Sequence, residues 1–150
     1  MSSAFSIPLE SDDQFLDLCA SFSKIEGTTL LASSEQEGLS YLSLIPYDVI
    51  AIPYFARDPW EILKERLGTF NELSKLPLWT GFLSYEMGAF VDKDKAIPFH
   101  KSSYPLAYFQ KSALIAIYSK KVLTLVKRDE AIPHLSSEQK VLFKKLKNVN

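Results

Sequence analysis

The sequence predicts an α+β domain built mainly on an antiparallel β-sheet, with about three flanking helices. Two observations predict this fold: strand-like runs outnumber helical ones, and most connections between neighbouring runs are short. Short connections favour antiparallel pairing, because parallel strands need a long crossover. With 150 residues, of which 47% are hydrophobic, the chain is expected to form one domain over residues 1–150 and to bury a sizeable core.

The first helix is predicted to begin at Ser11. Serine is a favourable N-cap residue, and the two aspartates that follow it complement the positive end of the helix dipole. Apolar residues then recur at three- and four-residue steps along one face, namely Phe15, Leu18, Phe22 and Ile25. Gly27 is expected to end this helix or to follow it.

Three strand-like runs come next, over residues 28–33, 39–45 and 49–55. A polar turn that ends at Gly38 separates the first two runs, and residues 46–48 are predicted to turn the chain between the second and the third. Pro53 has no backbone N–H to donate to a neighbouring strand. The third run is therefore predicted to be an edge strand or to contain a bulge.

The second helix is the best-marked element of the sequence. Asp58 is predicted to cap it, Pro59 occupies the first helical position, and Glu61 is predicted to complete a capping box. Apolar residues follow at helical spacing, namely Trp60, Leu63, Leu67 and Phe70. The helix is predicted to end near Ser74.

The second half of the chain is richer in strands. Residues 78–85 read as a strand, in which Gly81 marks a place where another backbone or a ligand approaches closely. A charged loop is predicted at residues 92–103. Three more strands are predicted, over residues 107–109, 114–118 and 122–126.

The last two predicted strands are joined by Ser119, Lys120 and Lys121, which are predicted to form a hairpin turn. A weakly amphipathic helix over residues 135–146 is predicted to close the chain. Either Ser136 or Ser137 is expected to cap it.

The net charge limits the classes of partner that the chain is expected to bind. A net charge of −1 argues against bulk attraction to nucleic acid or membrane. The charges are unevenly distributed along the chain. Residues 120–150 carry a net charge of +5, and residues 1–119 carry a net charge of −6. The basic end is interpreted as a solvated helix or as a surface that docks on an acidic partner. With no basic leader and no long apolar run, the chain is expected to be cytoplasmic.

Candidate catalytic groups are sparse. The only cysteine, Cys19, lies in a helical pattern and is expected to be a buried structural thiol, although it could pair with a histidine as a nucleophile. His100 and His134 lack the spacing of a zinc site. Glu61 and Glu65 share one helix face and could hold Mg²⁺, or they could simply form a solvated face. No metal site and no catalytic residue are predicted from these groups.

Four stretches resemble a known family, the component I subunits of anthranilate synthase and aminodeoxychorismate synthase. Residues 29–33 resemble the LLES-type strand of that family, and residues 40–46 resemble its RYS-type strand. Residues 79–88, WTGFLSYEMG, resemble the GYLSYDLG-type segment and are the most specific of the four. Residues 104–109 resemble the segment after it, and the order and spacing match over roughly residues 5–130.

The resemblance implies the N-terminal, non-catalytic portion of an aminodeoxychorismate (para-aminobenzoate) synthase component I. Such a portion acts in chorismate amination for folate synthesis only together with a chorismate-binding chain or domain. That other half supplies the Mg²⁺-binding glutamates and the acid–base groups, so no cofactor is expected in this chain. A glutamine amidotransferase subunit is a further partner by the same analogy.

The resemblance also implies two sets of site residues. Ser33 matches the serine of the LLES motif, and Ser40 and Tyr41 lie at the RYS motif, so these three are expected to form a tryptophan-like effector site. Ala32 and Ser40 replace an acidic residue and an arginine of the family, which removes both charges from that site. The face toward the chorismate-binding half is expected to contain an exposed apolar patch with Trp79, Gly81, Tyr85 and Phe90.

Two alternative interpretations follow from the same resemblance. The chain could be a free-standing module that binds an aromatic amino acid such as tryptophan. It could also be a degenerate remnant of anthranilate synthase component I. The wording GFLSYE favours the folate branch over the tryptophan branch.

Overall fold

The computed structural model describes residues 2–34, 38–68, 79–91 and 104–147. Over these residues the chain forms six strands, three α-helices and two short 3-10 helices. The strands are β1 Ser2–Pro8, β2 Thr29–Leu31, β3 Ser40–Ile52, β4 Thr80–Leu83, β5 Ala107–Ser119 and β6 Val122–Arg128. The helices are α1 Asp12–Phe22, α2 Pro59–Leu67 and α3 Ser137–Lys147, with 3-10 helices at Tyr85–Phe90 and Asp129–His134. The predicted α+β fold is confirmed.

The strands form one sheet in the order β1-β6-β5-β3-β2, and β4 pairs with β5 outside this path. The pairings β1–β6, β2–β3, β4–β5 and β5–β6 are all antiparallel. The register places Leu125 opposite Phe5 on one side and opposite Ala116 on the other. The predicted antiparallel arrangement is therefore confirmed.

Strand β1 was not predicted, although it pairs with β6 along its whole length. Phe5 and Ile7 alternate with the smaller residues Ala4, Ser6 and Pro8, which is a weak form of the period-two pattern of a half-buried strand. That signal is short and lies at the start of the chain, where the helix cap at Ser11 is the stronger feature.

Two predicted breaks in strands are wrong. The turn predicted at residues 46–48 lies inside β3, where Ile45 has a φ of 59°. A left-handed residue within a strand is typical of a β-bulge, which bends the strand without ending it. Strand β5 likewise continues through residues 110–113, where the polar Gln110 and Ser112 are buried. Strand β3 does end at Ile52, directly before Pro53.

The first helix confirms its predicted start. The Ser11 hydroxyl accepts a hydrogen bond from the Gln14 amide at 3.3 Å, as an N-cap does. The helix ends at Phe22, and Gly27 adopts a φ of 78° in the turn that follows. Phe15 stacks on Tyr118 with ring centroids 4.3 Å apart, which fixes the helix on the sheet.

The second helix begins as predicted but ends early. Asp58 is the N-cap residue and Pro59 is the first helical residue, as predicted. The Asp58 side chain makes no capping hydrogen bond, so the predicted capping box is wrong in that respect. Gly68, with a φ of 72°, ends the helix, and its amide donates to the Lys64 carbonyl at 3.2 Å. Phe70 and Ser74 lie outside the described residues.

The predicted hairpin and the last helix are confirmed. Lys120 and Lys121 have φ values of 50° and 61°, as a two-residue turn that matches the strand twist requires. Ser136 caps α3: its hydroxyl accepts from the Gln139 amide at 3.2 Å, and its own amide donates to Gln139 Oε1 at 3.0 Å. This reciprocal pair is a capping box, and it selects Ser136 over Ser137.

The chain forms two compact units, residues 1–47 with 112–150, and residues 48–111. The first unit buries an apolar core that includes Leu42, Leu44, Leu114, Leu123 and Phe143. The second unit buries a smaller core of Ile50, Ile52, Leu63, Met87, Leu106 and Ala107. The charged loop predicted at residues 92–103 lies outside the described residues. In the described ranges no helix is long and apolar enough to cross a membrane.

Candidate functional site

The segment that resembles the family's most specific motif folds as strand β4 followed by a 3-10 helix. The Ser84 amide donates to the Leu106 carbonyl at 2.8 Å, and the Met87 amide donates to the Ser84 carbonyl at 3.1 Å. The indole N–H of Trp60 donates to the Met87 carbonyl at 3.2 Å, which ties α2 to the 3-10 helix. These bonds hold the motif in a defined conformation within the second unit.

Gly81 lies against the backbone of β5. A β-carbon at this position would lie 1.9 Å from the Tyr108 carbonyl oxygen and 2.6 Å from the Phe109 α-carbon. The close approach predicted for this glycine is therefore present, and its cause is a neighbouring strand. Gly81 therefore has a structural role in the pairing of β4 with β5.

The residues that follow Gly81 in β4 are exposed and apolar. Phe82 is 44% exposed and Leu83 46% exposed, although successive side chains of a strand point to opposite faces. Tyr85 follows and is 86% exposed. We call Phe82, Leu83 and Tyr85 together the apolar edge. Phe82 stacks on Tyr108 with centroids 6.0 Å apart, so its ring is held in place while much of it faces solvent.

The other two predicted interface residues are less accessible. Trp79 and Phe90 are half-buried and pack against the core of the second unit. The Lys111 ammonium lies 5.8 Å from the centre of the Trp79 ring, a cation–π distance. Of the four residues predicted for this interface, Tyr85 is therefore the one that presents most of its side chain.

The pairing of β2 with β3 brings together two of the three predicted effector residues, Ser33 and Ser40. Leu31 lies opposite Tyr41 in the register, and the Ser33 amide donates to the Ser40 hydroxyl at 3.0 Å. Ser40 is only 6% exposed, whereas Ser33 and Tyr41 are half-buried. The three residues belong to the first unit, and Trp79, Gly81, Tyr85 and Phe90 belong to the second.

The chemistry at Ser33, Ser40 and Tyr41 is uncharged. One acceptor of the Ser40 hydroxyl is already used by a backbone amide, and Ala32 offers no functional group. Hydroxyl groups can hydrogen-bond an ammonium or a carboxylate but supply no countercharge. A zwitterion held by these three side chains alone would be bound by neutral donors and acceptors.

The cysteine and histidine side chains that were considered as catalytic groups are buried, stacked on an aromatic ring or outside the described residues. Cys19 is buried in the first core, and burial raises the pKa of its thiol, which lowers its reactivity. His134 is exposed and stacks on Tyr47, while His100 lies outside the described residues. Within the described ranges, no three His, Cys, Asp or Glu side chains are grouped as metal ligands.

A buried polar network around Ser112 was not predicted from the sequence. The Arg128 guanidinium donates to the Ser112 carbonyl at 3.0 Å, and the Ser43 hydroxyl donates to the Ser112 hydroxyl at 2.6 Å. Burial lowers the pKa of Arg128, while Tyr47 and Glu130 counteract this shift. The sequence gives no local signal for this network, because its members meet only through pairing of distant strands.

Comparison with known proteins adds no relative: no protein-family model matches this sequence, and no curated protein matches it significantly.

Proposed function

We propose that this chain is the N-terminal, non-catalytic component of an aminodeoxychorismate-type synthase in the cytoplasm. In this proposal it acts in chorismate amination for folate synthesis only when bound to a separate chorismate-binding chain or domain. A glutamine amidotransferase subunit would supply the ammonia. The observation that carries the proposal is the apolar edge, which lies within the motif that most resembles the family.

Exposed aromatic side chains at a defined place favour a protein partner. Tyr85 leaves 86% of its surface in solvent directly after β4. Tyrosine is enriched where protein interfaces concentrate binding energy, because its ring contributes a large area at low entropic cost. The hydrogen bonds of Ser84 and Trp60 hold this segment in place before binding, which lowers the cost of association.

The requirements of the reaction indicate which groups each chain would supply. Amination of chorismate needs a metal to hold the substrate carboxylate, together with positioned acid–base groups. In this proposal the partner chain supplies all of these. The present chain supplies a packing surface that orders the partner, so its contribution appears in the activity of the complex.

The test is reconstitution from purified components. The chain is mixed with a purified chorismate-binding domain of an aminodeoxychorismate synthase, and calorimetry measures the affinity. Formation of aminodeoxychorismate from chorismate and ammonium is measured in parallel. We expect a defined complex and activity that depends on this chain.

The matched variants are Tyr85→Asp and Leu16→Asp. Both place a carboxylate at an exposed apolar position, but Leu16, at 51% exposure, lies on α1 in the other unit. We expect Tyr85→Asp to weaken binding by about tenfold or more and Leu16→Asp to leave it unchanged. A wild-type chain that neither binds nor activates the chorismate-binding domain would refute the proposal.

The second candidate is a module that binds tryptophan. The specific observation in its favour is that β2–β3 pairing brings Ser33 into hydrogen-bond contact with Ser40, the neighbour of Tyr41 in β3. Calorimetry with tryptophan tests it, with Tyr41→Ala as the variant expected to lose binding. Absence of heat with the wild-type chain at millimolar tryptophan would exclude this candidate.

A further inference from the structure

The outer face of helix α1 is acidic. Phe15 and Cys19 are the buried residues of this helix and belong to the core of the first unit. Asp13 and Asp17 are exposed, one turn apart, and lie on the opposite side of the helix. The exposed Leu16 lies beside this pair, and α1 contains no lysine or arginine. The outer face of α1 is therefore negatively charged, with an apolar side chain at its margin.

The outer face of helix α3 is basic. Val141 is 54% exposed near the middle of this helix. Lys144 and Lys145 follow it by three and four residues, so they lie beside it on the helix surface, and both are exposed. Lys140 is also exposed and lies one turn before Lys144. Against these lysines α3 contains a single acidic residue, in its first turn.

Both helices lie on the same face of the sheet. Leu18 of α1 and Leu146 of α3 line one small apolar cavity together with Ala116 of β5. The inner sides of both helices are therefore turned toward the sheet, and their outer faces are turned toward solvent. The first unit thus presents a negative and a positive helix surface on the same side of the sheet.

Contacts within the chain do not account for all of these charges. Among the described residues, none of the five charged side chains is in an ion pair, namely Asp13, Asp17, Lys140, Lys144 and Lys145. The helix dipole favours an acidic residue in the first turn and basic residues in the last turn. It does not favour Asp17, in the middle of α1, or Lys140, near the start of α3. Like charges one turn apart also oppose helix formation.

We propose that two copies of this chain associate through these helices, with α1 of each copy packed antiparallel on α3 of the other. Both helices have eleven residues, a length of about 16 Å, so they can lie along each other from end to end. Antiparallel packing places Asp13 opposite Lys144 of the other copy, and Asp17 opposite Lys140. It also brings the positive end of one helix dipole to the negative end of the other.

The presence of both charges on one chain identifies a second copy as the occupant. An acidic partner could pair only with α3, and a basic partner only with α1. A second copy pairs with both helices, because a two-fold axis makes the contact of α1 with α3 occur twice. The acidic surface expected for the basic end of the chain is then α1 of the second copy. With a net charge of −1, the copies repel each other little at long range.

This contact is independent of the proposed function, because α1 and α3 belong to the first unit and the apolar edge belongs to the second. Self-association can fail without affecting binding of a chorismate-binding chain, and the reverse also holds. Leu16→Asp is therefore expected to weaken self-association and still leave binding of that chain unchanged.

The experiment is sedimentation equilibrium of the full chain over a range of protein and salt concentrations. At about 25 mM NaCl we expect a monomer–dimer equilibrium with a Kd on the order of 100 μM or tighter. At about 500 mM NaCl the exposed charges are screened, so the Kd is expected to rise about tenfold or more.

Carbodiimide cross-linking, which joins a carboxylate directly to an amine, locates the contact. Chains with natural and with heavy nitrogen are mixed in equal amounts, so that a linked peptide pair of mixed isotope identifies a link between two copies. We expect such links to join Asp13 or Asp17 to Lys140 or Lys144.

Charge reversal tests which helices meet. Asp13→Lys with Asp17→Lys makes α1 basic, and Lys140→Glu with Lys144→Glu makes α3 acidic. Each double variant alone places like charges across both contacts, so its Kd is expected to rise about tenfold or more. When the two variants are mixed, or when all four changes are combined in one chain, opposite charges face each other again. Association is then expected to return toward the wild-type level.

Glu61→Lys with Glu65→Lys is the matched control. These two glutamates are exposed one turn apart on α2, in the second unit, and their reversal changes the net charge as much as the reversal in α1 does. We expect this control to associate like the wild type. Circular dichroism checks the folding of each variant, and if a reversed variant fails to fold, the wild-type cross-links and salt dependence decide the outcome.

Several results would overturn the proposal. These are sedimentation as a monomer at millimolar concentration in low salt, and association that salt does not weaken. Cross-links between copies that join other elements would also overturn it. So would a folded chain with all four changes that stays monomeric, or a control variant that loses association as the reversal in α1 does.

Discussion

A β-carbon at Gly81 would lie 1.9 Å from the carbonyl oxygen of Tyr108, closer than any side chain can approach a backbone atom. Tyr108 belongs to β5, and in the register Gly81 pairs with its neighbour Phe109. Backbone atoms of a paired strand cannot give way as a flexible side chain can. The contact between β4 and β5 therefore requires glycine at position 81.

Gly81→Ala is expected to destabilise the protein strongly. Accommodating the added methyl group requires β4 to move away from β5, and overpacking of this kind costs about 3 kcal/mol or more when backbone must shift. Urea denaturation followed by circular dichroism measures the loss in the free energy of unfolding.

Gly68→Ala is the control for that variant. Gly68 has a φ of 72°, but among the described residues no atom lies within 4 Å of the position that a β-carbon would take. The backbone opposes the methyl group there, because a φ of 72° with a ψ of −167° is adopted almost only by glycine, at a cost of about 1 to 3 kcal/mol. A loss of less than about 1 kcal/mol for Gly81→Ala would show that steric contact with β5 does not explain the need for glycine at this position.

Local features of the fold were predictable from the sequence, because their determinants are neighbours in the chain. The N-cap at Ser11 and the hairpin at Lys120 and Lys121 depend on a few adjacent residues, and both predictions are confirmed. The tight packing at Gly81 was also predicted, since glycine in a strand has few other uses.

The errors arose where distant strands decide the structure. Residues 46–48 have the composition of a turn, yet pairing keeps β3 continuous through them. The early end of helix α2 has a local cause instead, because Gly68 ends it although apolar residues continue at helical spacing to Phe70.

The candidate sites show the same limit. The sequence placed Ser33 and Ser40 in one site by resemblance, but the hydrogen bond between them depends on the β2–β3 register. Likewise, the sequence alone did not distinguish the exposed Tyr85 from the half-buried Trp79. Exposure follows from how neighbouring elements cover a segment, which local patterns do not encode.

Ser136→Ala is expected to destabilise α3, whereas Ser137→Ala is expected to have little effect. Ser136 exchanges two hydrogen bonds with Gln139, and loss of such a cap costs about 1 kcal/mol. Ser137 is exposed, and it is the first helical residue. Thermal unfolding measures the stability of the two variants. A larger loss of stability in Ser137→Ala than in Ser136→Ala would contradict the assignment of Ser136 as the cap.

The stability of the protein is expected to fall as the pH rises from about 10 toward 12, in a way that Tyr118→Phe removes. The Tyr118 hydroxyl donates to the Asp12 carboxylate, and this hydrogen bond raises the pKa of Tyr118 to about 12. An unfolded tyrosine ionises near pH 10, at about its ordinary pKa. Between these values the unfolded state binds fewer protons than the folded state, so rising pH favours unfolding.

Urea denaturation of the wild type and Tyr118→Phe at several pH values measures this effect. The wild type should be the more stable at neutral pH, and the difference should shrink above pH 10 or so. Asp12→Asn, which keeps an acceptor but removes the charge, should show a weaker pH dependence than the wild type. A difference between wild type and Tyr118→Phe that stays constant across the range would contradict the assignment.

Cys19 is expected to react with a thiol reagent only when the protein opens. The side chain is 7% exposed in the first core, and burial raises the pKa of the thiol, so at pH 8 or so both access and thiolate are reduced. Labelling by iodoacetamide should be slow in buffer and fast in urea, in proportion to the unfolded fraction. Fast labelling of the folded chain would indicate an accessible thiolate, and Cys19 would then have to be reconsidered as a nucleophile.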